Sequence, residues 1–502
     1  MNLVMALEMA AECFADRIAV TSDGKSMTYG ELLAAARTAA ADIRASGCKY
    51  VGLLDINGLG VPIALFGAAY AGVPYVPMNY RLTKPEMEAL LERIAPAYLV
   101  TSDTYINPLK VPAGIQVVKR DDFLVRARRT DLTPVEAAPG EPSDIAIQLF
   151  TSGTTGQPKA AVLRHENLMS YILGTVEFGG AAEEDAALIS VPPYHIAGIS
   201  AVLSSTYACR RMVQLPNFDA ATWLQLCRDE KVTNAFVVPT MLSRVIDHLE
   251  ATGEPANVPG LRAIAYGGGK MPLSVIEKAM GLMPGVDFTN AYGLTETSST
   301  ICLLDPEDHR VGFSSQEPAI RKRLASVGKP LGTIEIEIRD EDGKPLGPDE
   351  AGDIYVRGGQ VAGEYLGLGS MLDANGWFPT RDRGYVDQYG YLYLDGRADD
   401  VIVRGGENIS PGEIEDVLLT HPAVSDVAVV AVPDEQWGEA VGAAVVLKEN
   451  AQASAEELQN WVKDRLRSSR VPSSLMFKDS LPYNEMGKIL RRVIKQEFKD
   501  AR

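Results

Sequence analysis

The sequence predicts an α/β fold in which a long region of alternating strands and helices is followed by a β-rich subdomain and a compact α+β tail. Short apolar runs rich in Val and Ile alternate with helical patterns up to about Ile320, an order typical of largely parallel sheets. Period-two alternation and an Asp-Gly turn follow. A chain of 502 residues is also too long for one small core, so two or more domains are expected.

The N-terminal elements are predicted from helix caps and buried strands. The first residues form an amphipathic helical pattern that carries Glu8 and Glu12 and lacks the basic region of a signal peptide. Capping boxes that begin at Thr28 and Thr83 predict two helix starts. Strands are predicted at residues 50–56, 144–150, 234–239 and 261–268.

Two long stretches without charged residues, 56–80 and 187–209, raise the question of membrane spans. Prolines interrupt both stretches, and His195 lies in the second. We therefore expect buried α/β core at both places, and no stable membrane insertion.

The C-terminal part of the sequence has a different pattern of predicted elements. Residues 332–347 predict a β-hairpin, and residues 352–359 and 390–397 predict further short strands. A capping box from Ser410 to Glu413, with Pro411 at the first helical position, predicts a helix start. Strands are predicted at 424–432 and 440–448, and Ser454 is predicted to cap another helix. We place the domain boundary near Asp399.

Charge and cysteine usage exclude several classes of protein. The net charge of -18 argues against nucleic-acid binding and against docking on anionic membranes, because both need a basic surface. The cysteines are odd in number and show no CxxC spacing, so neither a disulfide framework nor a zinc site is expected. Reduced thiols and a cytoplasmic location are the expectation. The five cysteines are Cys13, Cys48, Cys209, Cys227 and Cys302.

The strongest chemical signal is the segment TSGTTGQPK, from Thr151 to Lys159, directly after the strand at 144–150. A loop of small hydroxyl residues and glycines can surround a polyphosphate with N–H groups and hydroxyls, and the lysine adds a positive charge. The segment does not match the GxxxxGK[ST] pattern of P-loop proteins. It predicts a phosphate-binding loop of another kind.

This segment resembles the signature of the adenylate-forming superfamily, which includes acyl-CoA synthetases, the adenylation domains of peptide synthetases and beetle luciferases. Further motifs occur in the family's order over nearly the whole chain. They are Tyr194-His195, Tyr266 to Gly269, Asn290 to Thr297, Gly376 to Asp382, Gly396 to Asp400, Gly405 to Pro411, and Gly487-Lys488.

The resemblance implies a large N-terminal domain (1–398) of two α/β subdomains plus a small β-barrel-like subdomain, followed by a small mobile α+β C-terminal domain (399–502). It implies an ATP-dependent acyl-CoA ligase that converts an apolar carboxylic acid, fatty or aryl, into an acyl-adenylate and then into a coenzyme A thioester. ATP, Mg²⁺ and coenzyme A are the implied cofactors, and a small-molecule acid is the partner. A homodimer is left open.

The implied ATP site combines stacking, hydrogen bonding and charge. Tyr292 would stack on adenine, and Asp382 would accept hydrogen bonds from both ribose hydroxyls. A carboxylate substrate needs no general base at neutral pH. The implied catalytic residues are Lys488, Glu296, Thr151 and His195, and the implied metal ligands are Glu296 and Thr151. The implied ATP-binding residues are Thr151, Ser152, Gly153, Thr154, Thr155, Lys159, Gly267, Gly268, Gly269, Asn290, Ala291, Tyr292, Gly293, Thr295, Asp382 and Arg397.

The resemblance also assigns the acid site, the thiol site and a hinge. Asp399 matches the hinge about which the C-terminal domain rotates, which would remove Lys488 after adenylation. No carboxylate occurs from His195 to Gly198, so an α-amino acid is disfavoured. The implied acyl pocket is His195, Ile196, Gly198, Val238, Gly268 and Ala291. The implied coenzyme A path is Arg404, Gly405, Gly406 and Trp437.

The sequence departs from the family pattern in four places. Arg381 replaces the usual glycine before the ribose aspartate, and Lys270 replaces a proline or small residue. Arg404 replaces a common serine, and Tyr483 begins a stretch that is more basic in the family.

Two alternatives remain beside the CoA ligase. The first is an adenylating enzyme that passes the acyl group to a separate carrier protein. The second is a non-catalytic sensor of nucleotides or acyl-adenylates, against which the presence of Lys159, Glu296, Asp382 and Lys488 argues.

Overall fold

The computed structural model describes residues 2–129, 135–151, 159–397, 400–405, 407–434, 436–484 and 488–501. The chain divides into two compact units. The first comprises Met1–Leu324, Pro330–Glu335 and Arg357–Phe378, and the second comprises Ala325–Lys329, Ile336–Val356 and Pro379–Arg502.

The elements up to Arg164 alternate between strands and helices. In chain order they are α1 (Val4–Phe14), β1 (Ile18–Ser22), β2 (Lys25–Thr28), α2 (Tyr29–Ser46), β3 (Tyr50–Leu54), α3 (Gly60–Ala71), β4 (Tyr75–Pro77), α4 (Lys84–Ile94), β5 (Ala97–Thr101), α5 (Asp103–Ile106), β6 (Ile115–Lys119), α6 (Arg120–Ala127), β7 (Ile145–Thr151) and β8 (Lys159–Arg164).

The same alternation continues to Ala325. The elements are α7 (His165–Thr175), β9 (Ala186–Ile189), α8 (Ile196–Tyr207), β10 (Arg211–Gln214), α9 (Ala220–Asp229), β11 (Asn234–Val237), α10 (Pro239–Thr252), β12 (Ala263–Gly267), α11 (Leu273–Leu282), β13 (Asp287–Leu294), the 3₁₀ helix Thr295–Thr297, β14 (Ser299–Leu304), α12 (Pro306–Ser314), α13 (Pro318–Arg321) and the 3₁₀ helix Lys322–Ala325.

Short strands dominate the next part, and a mixed α and β pattern ends the chain. The elements are β15 (Lys329–Pro330), β16 (Glu335–Arg339), β17 (Gly352–Arg357), β18 (Glu364–Tyr365), β19 (Gly369–Ser370), β20 (Phe378–Val386), β21 (Leu392–Arg397), β22 (Ile402–Arg404), β23 (Glu407–Ile409), α14 (Pro411–Leu419), β24 (Val424–Asp434), β25 (Gly438–Leu447), α15 (Ala455–Lys463), the 3₁₀ helix Ser468–Arg470, β26 (Ser474–Phe477) and α16 (Arg491–Asp500).

The first unit is built on two sheets with many parallel strand pairs. One sheet runs in the order β14-β13-β12-β11-β9-β10-β1-β2, and the strands from β13 to β1 are parallel neighbours. The other runs β19-β18-β8-β7-β4-β3-β5-β6, with β7 and β8 antiparallel. Parallel strands place the loops that follow them at one edge of the sheet, and ligands commonly bind there.

Small residues allow the helices of this unit to pack closely. Every residue of α3 is buried. A side chain at Gly67 would bring its Cβ within 3.2 Å of the Cβ of Ala39 on α2, so a larger residue there would push the two helices apart. The buried Tyr29 hydroxyl donates to the carbonyls of Ser205, at 3.1 Å, and Arg210, at 2.8 Å. Its polar end is therefore satisfied inside the core.

The second unit contains two further sheets. One has the order β16-β17-β20-β21, and the other has the order β23-β22-β25-β24 with β26 beside β25. Successive side chains of β24 belong to two different hydrophobic clusters. Val427 and Val429 pack in a cluster with Ile414, and Ala428 and Val430 pack in a second cluster on the other face of the strand. Since a strand alternates its side chains between two faces, β24 is covered on both sides and reads as a continuous apolar run.

The predicted α/β fold is confirmed, as are the capping boxes at Thr28 and Thr83 and the cap at Ser454. The two uncharged stretches form α3 with β4 and β9 with α8. Among the described residues, no helix combines the length and the apolar character that crossing a membrane requires. The boundary between 398 and 399 falls outside the described residues and stays a prediction.

One local prediction was wrong in detail. Ser410 precedes α14, but its side chain makes no cap hydrogen bond; its hydroxyl donates instead to the carbonyl of Asp395, and Glu413 pairs with Arg470 at 3.2 Å. The hairpin predicted at 332–347 is present, with β16 as one arm and a short return arm that forms a bridge between Arg339 and Pro345. On either side of this bridge, the N–H of Leu346 donates to the carbonyl of Ile338 at 2.8 Å and the N–H of Asp340 donates to the carbonyl of Lys344 at 3.0 Å. The position of Pro345 in the bridge therefore needs no N–H donor.

A buried histidine anchors the N-terminus of the chain. The backbone N–H of Leu3 donates to Nδ1 of His165 at 3.3 Å, and His165 is 4% exposed. Burial lowers the pKa of His165 to about 4, and the nearby Asp144 opposes this only in part. A neutral imidazole is required, because a protonated Nδ1 could not accept the Leu3 hydrogen bond.

We therefore expect acid to destabilise the first unit through His165. The pKa of an unfolded histidine is about 6.5, so the unfolded state binds the proton first, and stability falls by about 1.4 kcal/mol for each pH unit between about 6.5 and about 4. Thermal unfolding of the wild type and of His165→Gln at about pH 7 and about pH 5 tests this. The variant should lose less stability on acidification. Equal losses would show that His165 does not contribute.

Candidate active site

The predicted phosphate-binding segment connects two paired strands. Thr151 ends β7 and Lys159 begins β8, and the two residues are register partners in an antiparallel pair. The Thr151 hydroxyl donates to the carbonyl of Lys159 at 3.4 Å. The ends of the loop are thereby held together. Ser152, Gly153, Thr154 and Thr155 lie outside the described residues.

Glu296 occupies a sharp reversal between β13 and β14. A Cβ on Gly293 would lie 1.9 Å from the carbonyl oxygen of Ser299, so only glycine fits. Ser298 and Ser299 have φ values of 56° and 123°, which L-residues rarely adopt. Thr297 stabilises the turn, because its hydroxyl accepts from the N–H of Leu294 at 3.0 Å. The turn presents the half-buried Glu296 together with its neighbour Thr295.

A residue that the sequence interpretation missed connects these two motifs. The hydroxyl of Tyr365, on β18, donates to Oε1 of Glu296. The ammonium of Lys159 lies 5.7 Å from the centre of the Tyr365 ring. No sequence signal separates this tyrosine from a core aromatic, and Glu296 lies 69 positions away from it along the chain.

The ends of β12 and β13 bring the glycine motif and the Asn290 motif together. Tyr266 pairs with Asn290, and Gly267 pairs with Ala291. A Cβ on Gly267 would lie 2.2 Å from the Ala291 carbonyl oxygen, so the close approach requires glycine. Gly268 has a φ of 82° and redirects the chain before Gly269. Tyr292 follows on β13 and is 9% exposed.

The predicted acyl-pocket residues follow neighbouring strands of the same sheet. His195 comes after β9 and precedes α8, and Val238 comes directly after β11. The Tyr194 and His195 rings are 4.5 Å apart, and Tyr80 meets Tyr194 edge-on at 5.1 Å. A Cβ on Gly198 would lie 2.7 Å from the Pro192 carbonyl oxygen. Ile196 is half-buried beside His195. Since β9, β11, β12 and β13 are neighbours, these residues share one edge of the sheet with Gly268 and Ala291.

In the second unit, Asp382 and Arg397 face each other across β20 and β21. They are register partners, and Nε of Arg397 lies 3.3 Å from Oδ1 of Asp382. The Asp382 side chain is 11% exposed and that of Arg397 is 44% exposed. Arg381, the residue that replaces the usual glycine, has a φ of 63°. The preference for glycine at this position is thus a backbone requirement, which Arg381 meets at a steric cost.

Lys488 lies next to an antiparallel bridge between Tyr483 and Ile489 in the second unit. Its N–H donates to Oδ1 of Asn484 at 2.8 Å, and its carbonyl accepts from the N–H of Asn484 at 2.9 Å. The Tyr483 hydroxyl donates to Oδ2 of Asp426 at 2.7 Å. Burial raises the pKa of Asp426, and burial also raises the pKa of Tyr483. Lys488 is exposed.

The predicted coenzyme A residues form a separate cluster in the second unit. Gly405 has a φ of 57°, and a Cβ on it would lie 2.7 Å from Cε3 of Trp437. The guanidinium of Arg404 donates to the Ser469 carbonyl at 2.8 Å and lies 5.9 Å from the Trp437 ring centre. The indole is 44% exposed. Gly406 and the predicted hinge residue Asp399 lie outside the described residues.

Glu296 and Thr151 carry oxygen donors of the type that fits a Mg²⁺ shared with phosphate oxygens. Within the described residues, no group of three His, Cys, Asp or Glu side chains could hold a metal by itself. Mg²⁺ commonly takes one or two carboxylates and completes its coordination with substrate phosphates and water. Glu296 and the Thr151 hydroxyl supply hard oxygen donors of this kind.

Two models of known protein families match this chain. The model of the AMP-binding enzyme family matches residues 7–366, and the model of the AMP-binding enzyme C-terminal domain matches residues 413–488. The chain belongs to the adenylate-forming superfamily. The motifs described above therefore sit in an adenylate-forming enzyme, and the predicted family is confirmed.

Relatives of this adenylate-forming enzyme match over nearly their whole length. The chain is 33% identical to the 2-succinylbenzoate–CoA ligase of Bacillus licheniformis, with 97% of this chain and 98% of the relative covered. It is 32% identical to the fatty acid–[acyl-carrier-protein] ligase ScoC of Streptomyces coeruleorubidus, with 96% and 93% covered. Its fold matches the o-succinylbenzoate CoA synthetase MenE of Bacillus subtilis, in complex with ATP and magnesium ion, with a TM-score of 0.82, 30% identity and 97% and 98% coverage.

We expect Asp382→Asn to raise the KM for ATP of this adenylate-forming enzyme about tenfold, because hydrogen bonds to a charged acceptor contribute about 1.5–3 kcal/mol. Pyrophosphate exchange at varied ATP measures the change. Asp353→Asn is the matched control, since it breaks the ion pair between Asp353 and Arg383, at 3.2 Å, in the same sheet. Equal KM changes in both variants would mean that Asp382 acts only through the fold.

Proposed function

We propose that this adenylate-forming enzyme is an ATP-dependent acyl-CoA ligase, an acid–thiol ligase that forms AMP. The observation that carries the proposal is the match of both family models together with the full-length similarity to a CoA ligase. The substrate is an apolar carboxylic acid, aliphatic or aryl. ATP, Mg²⁺ and coenzyme A are the proposed cofactors.

The first half-reaction joins two anions, so its barrier is largely electrostatic. A carboxylate oxygen attacks the α-phosphorus of ATP, and the bond to pyrophosphate breaks. Lys159 and Lys488 would hold the negative charge that spreads over the phosphate oxygens. Mg²⁺ would be held by Glu296 and Thr151 and would neutralise phosphate charge. Tyr292, Asp382 and Arg397 would orient the nucleoside.

The second half-reaction needs a different arrangement of residues. The coenzyme A thiolate attacks the acyl carbonyl, and AMP leaves with the electrons of the acyl–phosphate bond. We propose that the C-terminal domain, residues 399–502, turns about Asp399 after adenylation and presents Arg404, Gly405, Gly406 and Trp437 to the thiol. The exposed Trp437 indole and the Arg404 guanidinium suit a path for a nucleotide-bearing thiol.

The proposed acyl pocket favours an apolar acid. His195, Ile196, Gly198, Val238, Gly268 and Ala291 carry no carboxylate that could hold a substrate ammonium group. We further propose a cytoplasmic enzyme, and a homodimer is its proposed assembly. The most direct test is a panel of aliphatic acids, aryl acids, 2-succinylbenzoate and α-amino acids, assayed for AMP release with coenzyme A present. Release with amino acids alone would contradict the proposed pocket.

A second candidate function is acyl transfer to a carrier protein, because the relative ScoC is named as a fatty acid–[acyl-carrier-protein] ligase. Release of AMP that depends on a pantetheinylated carrier protein, and not on coenzyme A, would favour this alternative. A sensor without catalysis would give no pyrophosphate exchange with any acid, which separates it from both ligases.

We expect Lys488→Ala to slow acyl-adenylate formation at least about 100-fold, because a preorganised cation at the developing charge contributes about 10²–10³ in rate. Thioester formation from acyl-adenylate supplied ready-made should stay near the wild-type rate. The two half-reactions are measured separately, by pyrophosphate exchange and by thioester formation. Equal loss in both would contradict a Lys488 that serves adenylation alone.

A further inference from the structure

Residues 360–366, here called the linking segment, connect the Glu296 turn to β8. The Gln360 side chain is fully buried and donates to the carbonyls of Thr297, at 3.0 Å, and Thr300, at 2.7 Å. The N–H groups of Ala362 and Gly363 donate to the carbonyl of Glu296, at 2.9 and 3.0 Å. The carbonyls of Glu296, Thr297 and Thr300 are thus all held by donors of the linking segment.

The other end of the linking segment is attached to the strand that follows the phosphate loop. Within β18, Glu364 pairs with Val162, and Tyr365 pairs with Ala161. The Arg164 guanidinium donates to both carboxylate oxygens of Glu364, at 2.9 and 2.8 Å. Bidentate pairs of this kind fix geometry as well as adding energy. The position of Tyr365 relative to β8 is therefore set by both backbone and side chains.

Tyr365 contacts both charged groups of the predicted phosphate site. Its hydroxyl donates to Oε1 of Glu296, and its ring lies below the Lys159 ammonium at 5.7 Å. The carboxylate keeps Oε2 for a cation. A cation above an aromatic ring within about 6 Å is attracted to it without losing its charge. One side chain thus contacts an acidic and a basic group of the predicted phosphate site.

We propose that Tyr365 is a positioning residue for Glu296: it holds the carboxylate in the rotamer that receives the metal of the metal–ATP complex. The inference rests on the proposed function, in which Glu296 contacts that metal. Hydrogen-bond partners of a metal-binding carboxylate orient it, and their loss commonly weakens metal affinity or activity by about 10–100-fold. A tyrosine needed only for packing would have no such effect.

The test replaces the hydroxyl and keeps the ring. In Tyr365→Phe, Mn²⁺ serves as the probe of the metal site, and its binding in the presence of ATP and in the absence of acid is measured by electron paramagnetic resonance. We expect about tenfold weaker Mn²⁺ binding than in the wild type. ATP binding without metal should be unchanged, because the ring beneath Lys159 remains. The Mg²⁺ concentration for half-maximal pyrophosphate exchange should rise by the same factor.

Tyr98→Phe provides a matched control, since it also removes a tyrosine hydroxyl that donates to a carboxylate, Oδ2 of Asp42 at 2.6 Å, elsewhere in the first unit. Thermal unfolding of both variants shows that they fold. Unchanged Mn²⁺ binding in Tyr365→Phe, or the same weakening in Tyr98→Phe, would overturn the proposal. The Mn²⁺ binding measurement requires neither acid nor thiol. Its result can therefore be interpreted even if the wild type forms no CoA thioester.

Discussion

The reversal between β13 and β14 constrains much of the first unit. Glu296 can stand at the end of a parallel strand only because the chain turns back at once, which demands Gly293 and positive φ values at Ser298 and Ser299. Such backbone conformations persist only when their surroundings hold them in place. Here the buried Gln360 and the N–H groups of the linking segment do so, and the same segment continues into β18 beside β8. The strained turn and β8, the strand that begins at Lys159, therefore share one support.

Local patterns in the sequence were sufficient for the order of elements. Capping boxes and apolar runs are short-range signals, and Thr28 and Thr83 form the expected boxes with Glu31 and Glu86, which lie three residues further along the chain. The capping box predicted for Ser410 and Glu413 does not form. The carbonyl of Asp395 and the guanidinium of Arg470 offered them partners that are remote in sequence. The hairpin at 332–347 depends on an equally local signal, the Asp342-Gly343 turn, in which Gly343 has a φ of 78°.

The residues of the candidate site show the same difference between local signals and partners that are remote in sequence. The resemblance was enough to assign Gly267, Ala291 and Val238 to the site, and the structure places Gly267 and Ala291 on paired strands with Val238 directly after the neighbouring strand β11. Tyr365 was missed because its hydrogen-bond partner Glu296 lies 69 positions away, and no local spacing reveals such a contact. The ion pair of Arg164 with Glu364, 200 positions apart, shows how far such partners lie. Arg381 was flagged as a departure in the sequence, but only its φ of 63° explains why glycine is usual there.

Because the net charge of the protein is -18, it matters which groups the cationic side chains of the candidate site contact. The overall field of such a protein opposes anions such as ATP and coenzyme A, so attraction must come from a few local cations. The contacts described for Lys159 and Arg404 are with neutral groups, the Tyr365 ring and the Ser469 carbonyl together with Trp437. Neutral partners orient a cation without cancelling its charge, whereas a carboxylate partner would cancel most of it. Arg397 does pair with Asp382, and this ion pair partly offsets the positive charge of its guanidinium.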